Sequence, residues 1–396
     1  MKREKNELIF EKKIGIESLI TSFSNTQNQK ALEEQLLEDD ACVFLKGSVG
    51  SGISFIIANS FKTVGKTMLY LCEDREKAAY QLDDFERILG EDNVLFFPSS
   101  YRKPYQTETT DNANVLLRSE VLTKLGNSKK PKLIVSYPQA VFEKVVSHST
   151  LKKNTLEVIK DSRLSLDFVN EMLFEYRFNR VDFVTQPGEF SVRGGIIDVF
   201  SFSNQHPYRI EFYDDQVESL RSFDVATQLS ISTLNKIKLL PNTSEGFTKA
   251  KRKSIIEVIA PKGVLITQNF DFIAAHLAHF YEEAEASFAA LATETKHLPP
   301  DVLFISKENF IQTASMLSLV SLTKSTAVNT QQNHFFKQSP QPAFNRQFDR
   351  LIVYLNDNHQ KGYQNFICCA SEQQAQRFKD IFEEGEETVH YKTLVN

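Results

Sequence analysis

The first 146 residues alternate between short apolar runs and helical patterns, and this alternation constrains the fold more than any other feature of the sequence. Short, uninterrupted apolar runs are typical of strands that are buried on both faces of a sheet. Such runs occupy residues 41–45, 68–72, 94–97 and 132–137. Because a helical segment follows each run, the pattern predicts a parallel sheet with helices packed on its faces.

A glycine-rich loop follows the first predicted strand and has the spacing of the phosphate-binding motif G-x-x-x-x-G-K-[ST]. Gly47, Gly52 and Ser54 occupy the glycine and hydroxyl positions, but Ile53 stands where the motif requires lysine. That lysine contacts the terminal phosphates of a bound nucleotide, and a hydrogen bond to a charged group is worth about 1.5–3 kcal/mol. The fourth apolar run also ends without the acidic pair that would hold magnesium. We therefore expect a degenerate phosphate loop in a lobe that does not hydrolyse nucleotide.

From about residue 147 to 236 the pattern changes to one helix, predicted over 164–174, followed by several short strands in close order. The strands are predicted at VDFVTQ, EFSVRG, GIIDVFS, YRIEFY and VESLRSF. Alternation assigns one face to Phe190, Val192, Ile210 and Phe212, and the other to Ser191, Arg193, Arg209, Glu211 and Tyr213. The segment is predicted to be a small α+β module with an antiparallel sheet.

This module carries a series of short motifs in a fixed order. They are Arg180–Asp182 (R-V-D), Pro187–Phe190 (P-G-E-F), Arg193–Phe200 (R-G-G-I-I-D-V-F), Arg209–Asp215 (R-I-E-F-Y-D-D) and Ser219–Asp224 (S-L-R-S-F-D). The series resembles the module shared by bacterial transcription-repair coupling factors (Mfd) and UvrB, the damage-loading helicase of excision repair. Upstream, FFPSSYRKPYQTE resembles another stretch of this family, with Tyr101 and Arg102 departing from its Trp-Glu pair.

The degenerate loop distinguishes between the two relatives, because UvrB hydrolyses ATP with this lobe and needs the lysine that Ile53 replaces. The chain also lacks the aromatic-rich hairpin with which UvrB holds DNA. The resemblance therefore implies the N-terminal, UvrB-like region of a coupling factor, and the chain is expected to be a piece of a longer protein. It implies a RecA/helicase-like parallel-sheet lobe, an inserted α+β module with an antiparallel sheet, and a small C-terminal α/β domain.

The remaining segments are assigned by pattern to the lobe and to a further domain. We expect domains at 1–146, 147–236, 237–338 and 339–396, with the third completing the lobe around the inserted module. In the third, SIIEVIA, GVLITQ and VLFIS are interpreted as strands, with a helix near 270–289. In the fourth, a helix over 346–356, the strand NFICCA and a helix capped by Ser371 and Gln374 are predicted after a proline-bearing link.

In this family the module docks UvrA, the damage-recognising ATPase, through arginines on one face of its sheet. The matching positions are Arg180 and Arg193, with Arg177 a weaker candidate. Between residues 176 and 224 there are five arginines and eight acidic residues, a balance of −3 that favours a protein partner over a DNA backbone. The resemblance implies a non-catalytic chain in nucleotide excision repair without a cofactor of its own, ATP and magnesium belonging to the motor domains of the full-length family protein. RNA polymerase and DNA would bind to modules outside this chain.

Three alternatives stay open on the sequence alone: a nucleotide-binding enzyme with an unusual loop, direct DNA binding by the sheet, and arginines that are merely solvated. The net charge of −5 argues against a protein whose whole surface binds nucleic acid. The absence of an apolar signal segment and of a long apolar run favours a cytoplasmic protein that does not enter the membrane. The four cysteines are interpreted as reduced, buried thiols. His276, His279 and Glu283 share a helical face but are too few to predict a metal site.

Overall fold

The computed structural model describes residues 16–101, 103–105, 112–127, 130–146, 155–202, 206–240, 252–260, 262–291, 297–328, 332–384 and 388–395. The chain divides into two compact units. One combines Met1–Ala31, Gly47–Asn59 and Phe336–Asn396, and the other combines Leu32–Lys46 and Ser60–Phe335. Among the described residues, no helix is both long enough and apolar enough to cross a membrane.

The strands, in chain order, are β1 (Cys42–Lys46), β2 (Met68–Leu71), β3 (Val94–Phe96), β4 (Leu133–Ser136), β5 (Val145–Val146), β6 (Leu156–Ile159), β7 (Asn179–Arg180), β8 (Glu189–Arg193), β9 (Ile196–Val199), β10 (Tyr208–Tyr213), β11 (Gln216–Phe223), β12 (Ser230–Thr233), β13 (Lys236–Leu239), β14 (Arg252–Lys253), β15 (Val264–Thr267), β16 (Ser318–Ser321), β17 (Gln332–Phe335), β18 (Phe366–Cys369) and β19 (Lys392–Val395).

The α-helices, in chain order, are α1 (Ile16–Ser24), α2 (Gln27–Leu37), α3 (Gly52–Val64), α4 (Arg75–Leu89), α5 (Asn112–Asn127), α6 (Pro138–Phe142), α7 (Leu166–Glu175), α8 (Ile255–Ile259), α9 (Phe270–Ala289), α10 (Pro300–Leu303), α11 (Lys307–Ala314), α12 (Phe348–Gln360) and α13 (Glu372–Glu384). A short 3-10 helix, Glu91–Asn93, precedes β3.

A seven-stranded parallel sheet forms the lobe, in the order β17-β1-β16-β15-β2-β4-β3. The four strands predicted in the first 146 residues are confirmed, and the residues of β2 and β4 are all buried, as expected for strands covered on both faces. Strands β15 and β16 lie between β1 and β2. Two distant parts of the chain therefore build one sheet, which confirms a RecA-like lobe with an inserted module.

Two strand predictions in the second part of the lobe are wrong. The segment SIIEVIA contains helix α8, which begins with a capping box formed by Ser254 and Glu257. The segment VLFIS, residues 302–306, begins with the last two residues of helix α10, which has Pro300 in its first turn, and its Phe304 makes only an isolated β-bridge to Glu143. The sheet instead uses β16 and β17, which the sequence pattern did not single out. Short apolar runs fit a buried helix turn as well as a strand, and the choice follows from the neighbouring strands that are available.

The inserted module has a six-stranded sheet in the order β12-β11-β10-β9-β8-β7. Helix α7 packs on it through Val169 and Leu173, which are fully buried together with Phe190, Ile197 and Ile210. The predicted alternation of faces is confirmed for β8 and β10. The segment VDFVTQ is not a strand, because β7 ends at residue 180 and pairs in parallel with β8. The expected domain boundaries remain predictions.

The C-terminal domain pairs β18 and β19 in parallel and adds helices α12 and α13. The predicted cap of α13 is confirmed, since the Gln374 N–H donates to the Ser371 hydroxyl at 3.2 Å. The four cysteines are free thiols, but Cys368 is exposed and the prediction that all four are buried is wrong. In β18, Cys368 and Cys369 alternate, so only one of them can face the core.

Candidate partner-docking face

The face of the six-stranded sheet opposite α7 is polar, and its residues line up across neighbouring strands. Ser191 in β8 is opposite Asp198 in β9, Asp198 is opposite Arg209 in β10, and Arg209 is opposite Arg221 in β11. We call this surface the polar face. It is created by register, because residues directly opposite in adjacent strands project to the same side of a sheet.

Asp198 is the centre of the polar face. Its side chain is only 2% exposed, and its two oxygens accept hydrogen bonds from two arginines. The Arg209 Nε donates to Oδ1 at 2.7 Å and the Arg209 Nη2 to Oδ2 at 2.9 Å, while the Arg193 Nη2 donates to the same Oδ2. A buried carboxylate needs such partners, because leaving it unpaired would cost on the order of several kcal/mol. The hydrogen bonds that Arg209 donates to Asp198 also raise the pKa of Arg209.

Arg193 is held on two sides and still reaches solvent, since its side chain is 41% exposed. Besides the bond to Asp198, its guanidinium carbon lies 5.1 Å from the ring centre of Phe183. Phe183 is itself 62% exposed, an unusual position for a phenylalanine. An exposed aromatic ring beside a fixed arginine has the composition of an interface hot spot.

The loop that carries Phe183 is shaped by the glutamate of the P-G-E-F motif. Glu189 is buried and its Oε2 accepts hydrogen bonds from the Thr185 N–H at 2.8 Å, the Thr185 hydroxyl at 3.0 Å and the Gln186 N–H at 3.0 Å. Burial alone would raise the pKa of Glu189, but these hydrogen bonds outweigh it and hold the pKa below its ordinary value. Glu189 therefore holds the end of the Phe183–Gln186 loop from a buried position.

Arg180 and Arg177 lie at the β7 edge of the same sheet, and both are exposed. The register sets Arg180 level with Phe190, whose side chain lies in the core beside α7. Arg180 therefore projects to the opposite side of the sheet from Arg193, and the expectation that both arginines lie on one face is wrong. The two positions are about 10 Å apart along the strand direction. Arg177 follows α7 with a φ of 62°, in the left-handed region. A partner that contacts Arg180 and Arg193 must therefore wrap around the β7 edge.

Of the five arginines between residues 176 and 224, Arg209 and Arg221 are committed to internal contacts. Arg209 is bound by Asp198, and its guanidinium carbon lies 4.6 Å from the ring centre of Phe223. Arg221 donates to Glu211, whose second oxygen accepts from the Ser219 hydroxyl. In the part of the chain that the structure describes, Arg180 and Arg177 show no side-chain hydrogen bond or ion pair. Among the described arginines of residues 176–224, the donors left for a partner therefore belong to Arg180, Arg177 and part of Arg193.

Three residues of this surface were not predicted from the sequence: Asp198, Glu189 and Phe183. Alternation along β9 contained a signal for Asp198, because it places that carboxylate on the same face as Arg193 and Arg209. Phe183 fell in a segment interpreted as a strand, and its exposure depends on the loop conformation that the tertiary structure sets.

The degenerate phosphate loop lies between β1 and α3, as predicted. Gly47 has a φ of 81°, in the left-handed region, and Gly52 opens α3. Ile53 is 8% exposed and Ser54 is fully buried. The residue at the lysine position thus packs into the interior and presents neither charge nor donor to a nucleotide phosphate. The residues of this loop do not fit ATP and magnesium in the way that the motif requires.

His276 and His279 make local contacts on α9. The ring Nδ1 of His276 is 3.0 Å from the Phe272 carbonyl oxygen, and His279 pairs with Glu283 at 3.4 Å. Within the described residues, no cluster of His, Cys, Asp or Glu side chains could hold a metal ion.

Comparison with known proteins finds a family match on the inserted module. The UvrB interaction domain family matches residues 156–244, which include the polar face and the β7 edge. Three similar proteins are transcription-repair-coupling factors. The protein of Haemophilus influenzae is 25% identical over 276 residues, which are 66% of this chain and 23% of the relative. That of Bacillus subtilis is 30% identical over 213 residues, 54% of this chain and 17% of the relative.

The third, from Rickettsia bellii, is 33% identical over 204 residues, 49% of this chain and 18% of the relative. The chain therefore spans less than a quarter of the length of these relatives. The matches confirm the resemblance that the motif series predicted, which is to the N-terminal, UvrB-like region of this group of proteins.

Proposed function

We propose that this chain is the non-catalytic N-terminal region of a transcription-repair coupling factor, and that it recruits UvrA in nucleotide excision repair. The inserted module forms the contact, and the contact surface consists of the β7 edge and the adjoining part of the polar face. RNA polymerase and DNA bind to other parts of the full-length protein, and the protein acts in the cytoplasm.

The observation that carries this proposal is the arrangement around Arg193. The guanidinium is partly exposed, yet Asp198 and Phe183 already hold it, so little conformational entropy is lost when it binds a partner. Guanidinium groups bind carboxylates with two parallel hydrogen bonds, and a protein partner with acidic side chains therefore suits this surface. The five arginines and eight acids of residues 176–224 make a phosphate backbone a poorer partner.

The non-catalytic part of the proposal depends on Ile53. The Ile53 side chain is buried and carries no charge, so the position at which the motif supplies lysine offers no contact to a phosphate. The chain requires no ATP or magnesium of its own, and the lobe serves as a scaffold that presents the inserted module. We retain the boundaries 1–146, 147–236, 237–338 and 339–396 for these parts.

The proposal is tested by measuring the affinity of the chain for purified UvrA with biolayer interferometry. Arg193→Glu is expected to weaken binding by roughly tenfold or more, as is usual for a hot-spot residue, and Arg180→Glu is also expected to weaken it. The matched control is Arg75→Glu, which reverses the charge of an exposed arginine on α4 in the lobe. Equal affinities for Arg193→Glu, Arg180→Glu and the control would refute the assigned surface, and failure of the unmodified chain to bind UvrA would refute the function.

A further inference from the structure

The degenerate phosphate loop is in contact with the polar link that follows β17. The side-chain Oε1 of Gln338 accepts a hydrogen bond from the Val49 N–H at 2.8 Å. The backbone N–H of Gln338 donates to the Gly47 carbonyl oxygen at 3.1 Å. The link therefore holds the loop at two points, once through a side chain and once through the backbone.

Gly52 leaves the space in which the Gln338 carboxamide lies. A Cβ atom at Gly52 would be 2.2 Å from the Gln338 Oε1 and 2.8 Å from both Cδ and Nε2. These distances are far shorter than van der Waals contact, so any side chain at this position would displace the carboxamide. In a working phosphate loop the glycine allows close approach of a phosphate, whereas here the atoms beside it belong to the same chain.

The chemistry of the loop favours a neutral acceptor. The Val49 N–H lies in the loop three residues before α3 begins, and backbone N–H groups in such a turn attract oxygen acceptors. A phosphate at such a loop also needs a cation, and Ile53 is a buried, uncharged residue at the position where the motif supplies one. A carboxamide oxygen provides the acceptor without the charge that would require compensation.

We infer that the loop Gly47–Ser54 is a binding site for a side-chain carboxamide and that its ligand is Gln338 of the same chain. The loop binds the link 336–342 in the space that Gly52 leaves open. The Val49 N–H already donates to Gln338 and therefore does not bind phosphate. This role is separate from UvrA docking and does not depend on it.

The inference is tested by amide hydrogen exchange at Val49 in the full chain, resolved to single residues by NMR or by fragmentation mass spectrometry. Gln338→Ala removes the acceptor and is expected to speed the exchange of the Val49 amide roughly fivefold, the effect of one net hydrogen bond. Gly52→Ala leaves Gln338 intact but displaces its side chain, and the same acceleration is expected. The matched control is Gln341→Ala, an exposed glutamine of the same link, which should leave Val49 unchanged.

The inference is overturned if either Gln338→Ala or Gly52→Ala leaves the Val49 exchange at the wild-type rate. Pyrophosphate provides a second test on the unmodified chain. With the Val49 donor occupied, added pyrophosphate is expected to give the loop no further protection. Protection of the wild-type loop by pyrophosphate would show that the donors are open and would likewise overturn the inference.

Discussion

Replacing Asp198 by asparagine is the sharpest test of how the polar face is built. The substitution keeps the size of the side chain but removes the charge that two guanidinium groups share. Breaking a fully buried ion pair costs about 3–5 kcal/mol, because the remaining charge is left without a partner. Here the side chains of Arg193 and Arg209 are 41% and 19% exposed, so water can solvate part of the released charge. We therefore expect a loss of about 2–3 kcal/mol in the free energy of unfolding of the module.

Glu211→Gln is the matched control, because it removes a carboxylate from the same face and also breaks a bond to an arginine. Glu211 and Arg221 are 27% and 33% exposed, and a pair with this access to water is worth about 1 kcal/mol or less. The local free energy of unfolding of both variants is measured in the full chain by urea unfolding that is monitored through hydrogen exchange in strands β8 to β11. If Asp198→Asn costs no more than Glu211→Gln, the central position assigned to Asp198 is refuted.

The same substitution separates positioning of Arg193 from general stability. If Asp198 acts on UvrA binding by orienting Arg193, then Asp198→Asn weakens binding in the wild-type background and has no further effect once Arg193→Ala is present. An equal loss of affinity in both backgrounds would contradict the positioning role. The double-mutant cycle on UvrA affinity distinguishes these outcomes.

Three further predictions follow from the described contacts. Arg118→Met is expected to destabilise the lobe by about 3–5 kcal/mol in thermal denaturation. The reason is that the buried guanidinium donates to the carbonyl oxygens of Pro98, Ala140 and Glu143 and pairs with the Glu143 carboxylate. A loss below about 1 kcal/mol would contradict this expectation. The pKa of Glu189 is lower in the folded chain than in the unfolded one, so its contribution to stability is present above the ordinary glutamate pKa and is lost as the pH falls through the folded value. Glu189→Gln should therefore flatten the acid limb of a plot of unfolding free energy against pH. An unchanged acid limb would argue against the lowered pKa. Because Arg180 and Arg193 project to opposite sides of the sheet edge, the losses in UvrA affinity of Arg180→Ala and Arg193→Ala should add in the double variant, and strong non-additivity would indicate one shared contact.

Much of the fold was determined by local sequence. The four apolar runs of the lobe, the alternation in β8 and β10 and the cap of α13 were all predicted correctly, because each depends on residues that are close in the chain. The motif series also predicted the resemblance of the module to the UvrB interaction domain family, which matches residues 156–244. Ile53 alone was enough to predict that the loop lacks the cation of a nucleotide site.

The tertiary structure decided what depends on residues far apart in the chain. The strand β15, which completes part of the sheet of the lobe, was predicted as GVLITQ, whereas β16 and β17 occupy the two places beside β1 that no local pattern indicated. Arg180 and Arg193 belong to the same motif series, but the parallel pairing of β7 and β8 sends them to opposite sides of the sheet. The contact between Gln338 and the loop joins residues 289 positions apart, and no local pattern encodes it. Periodicity reports which face a side chain occupies, whereas its partner across the fold is set only when distant segments pack together.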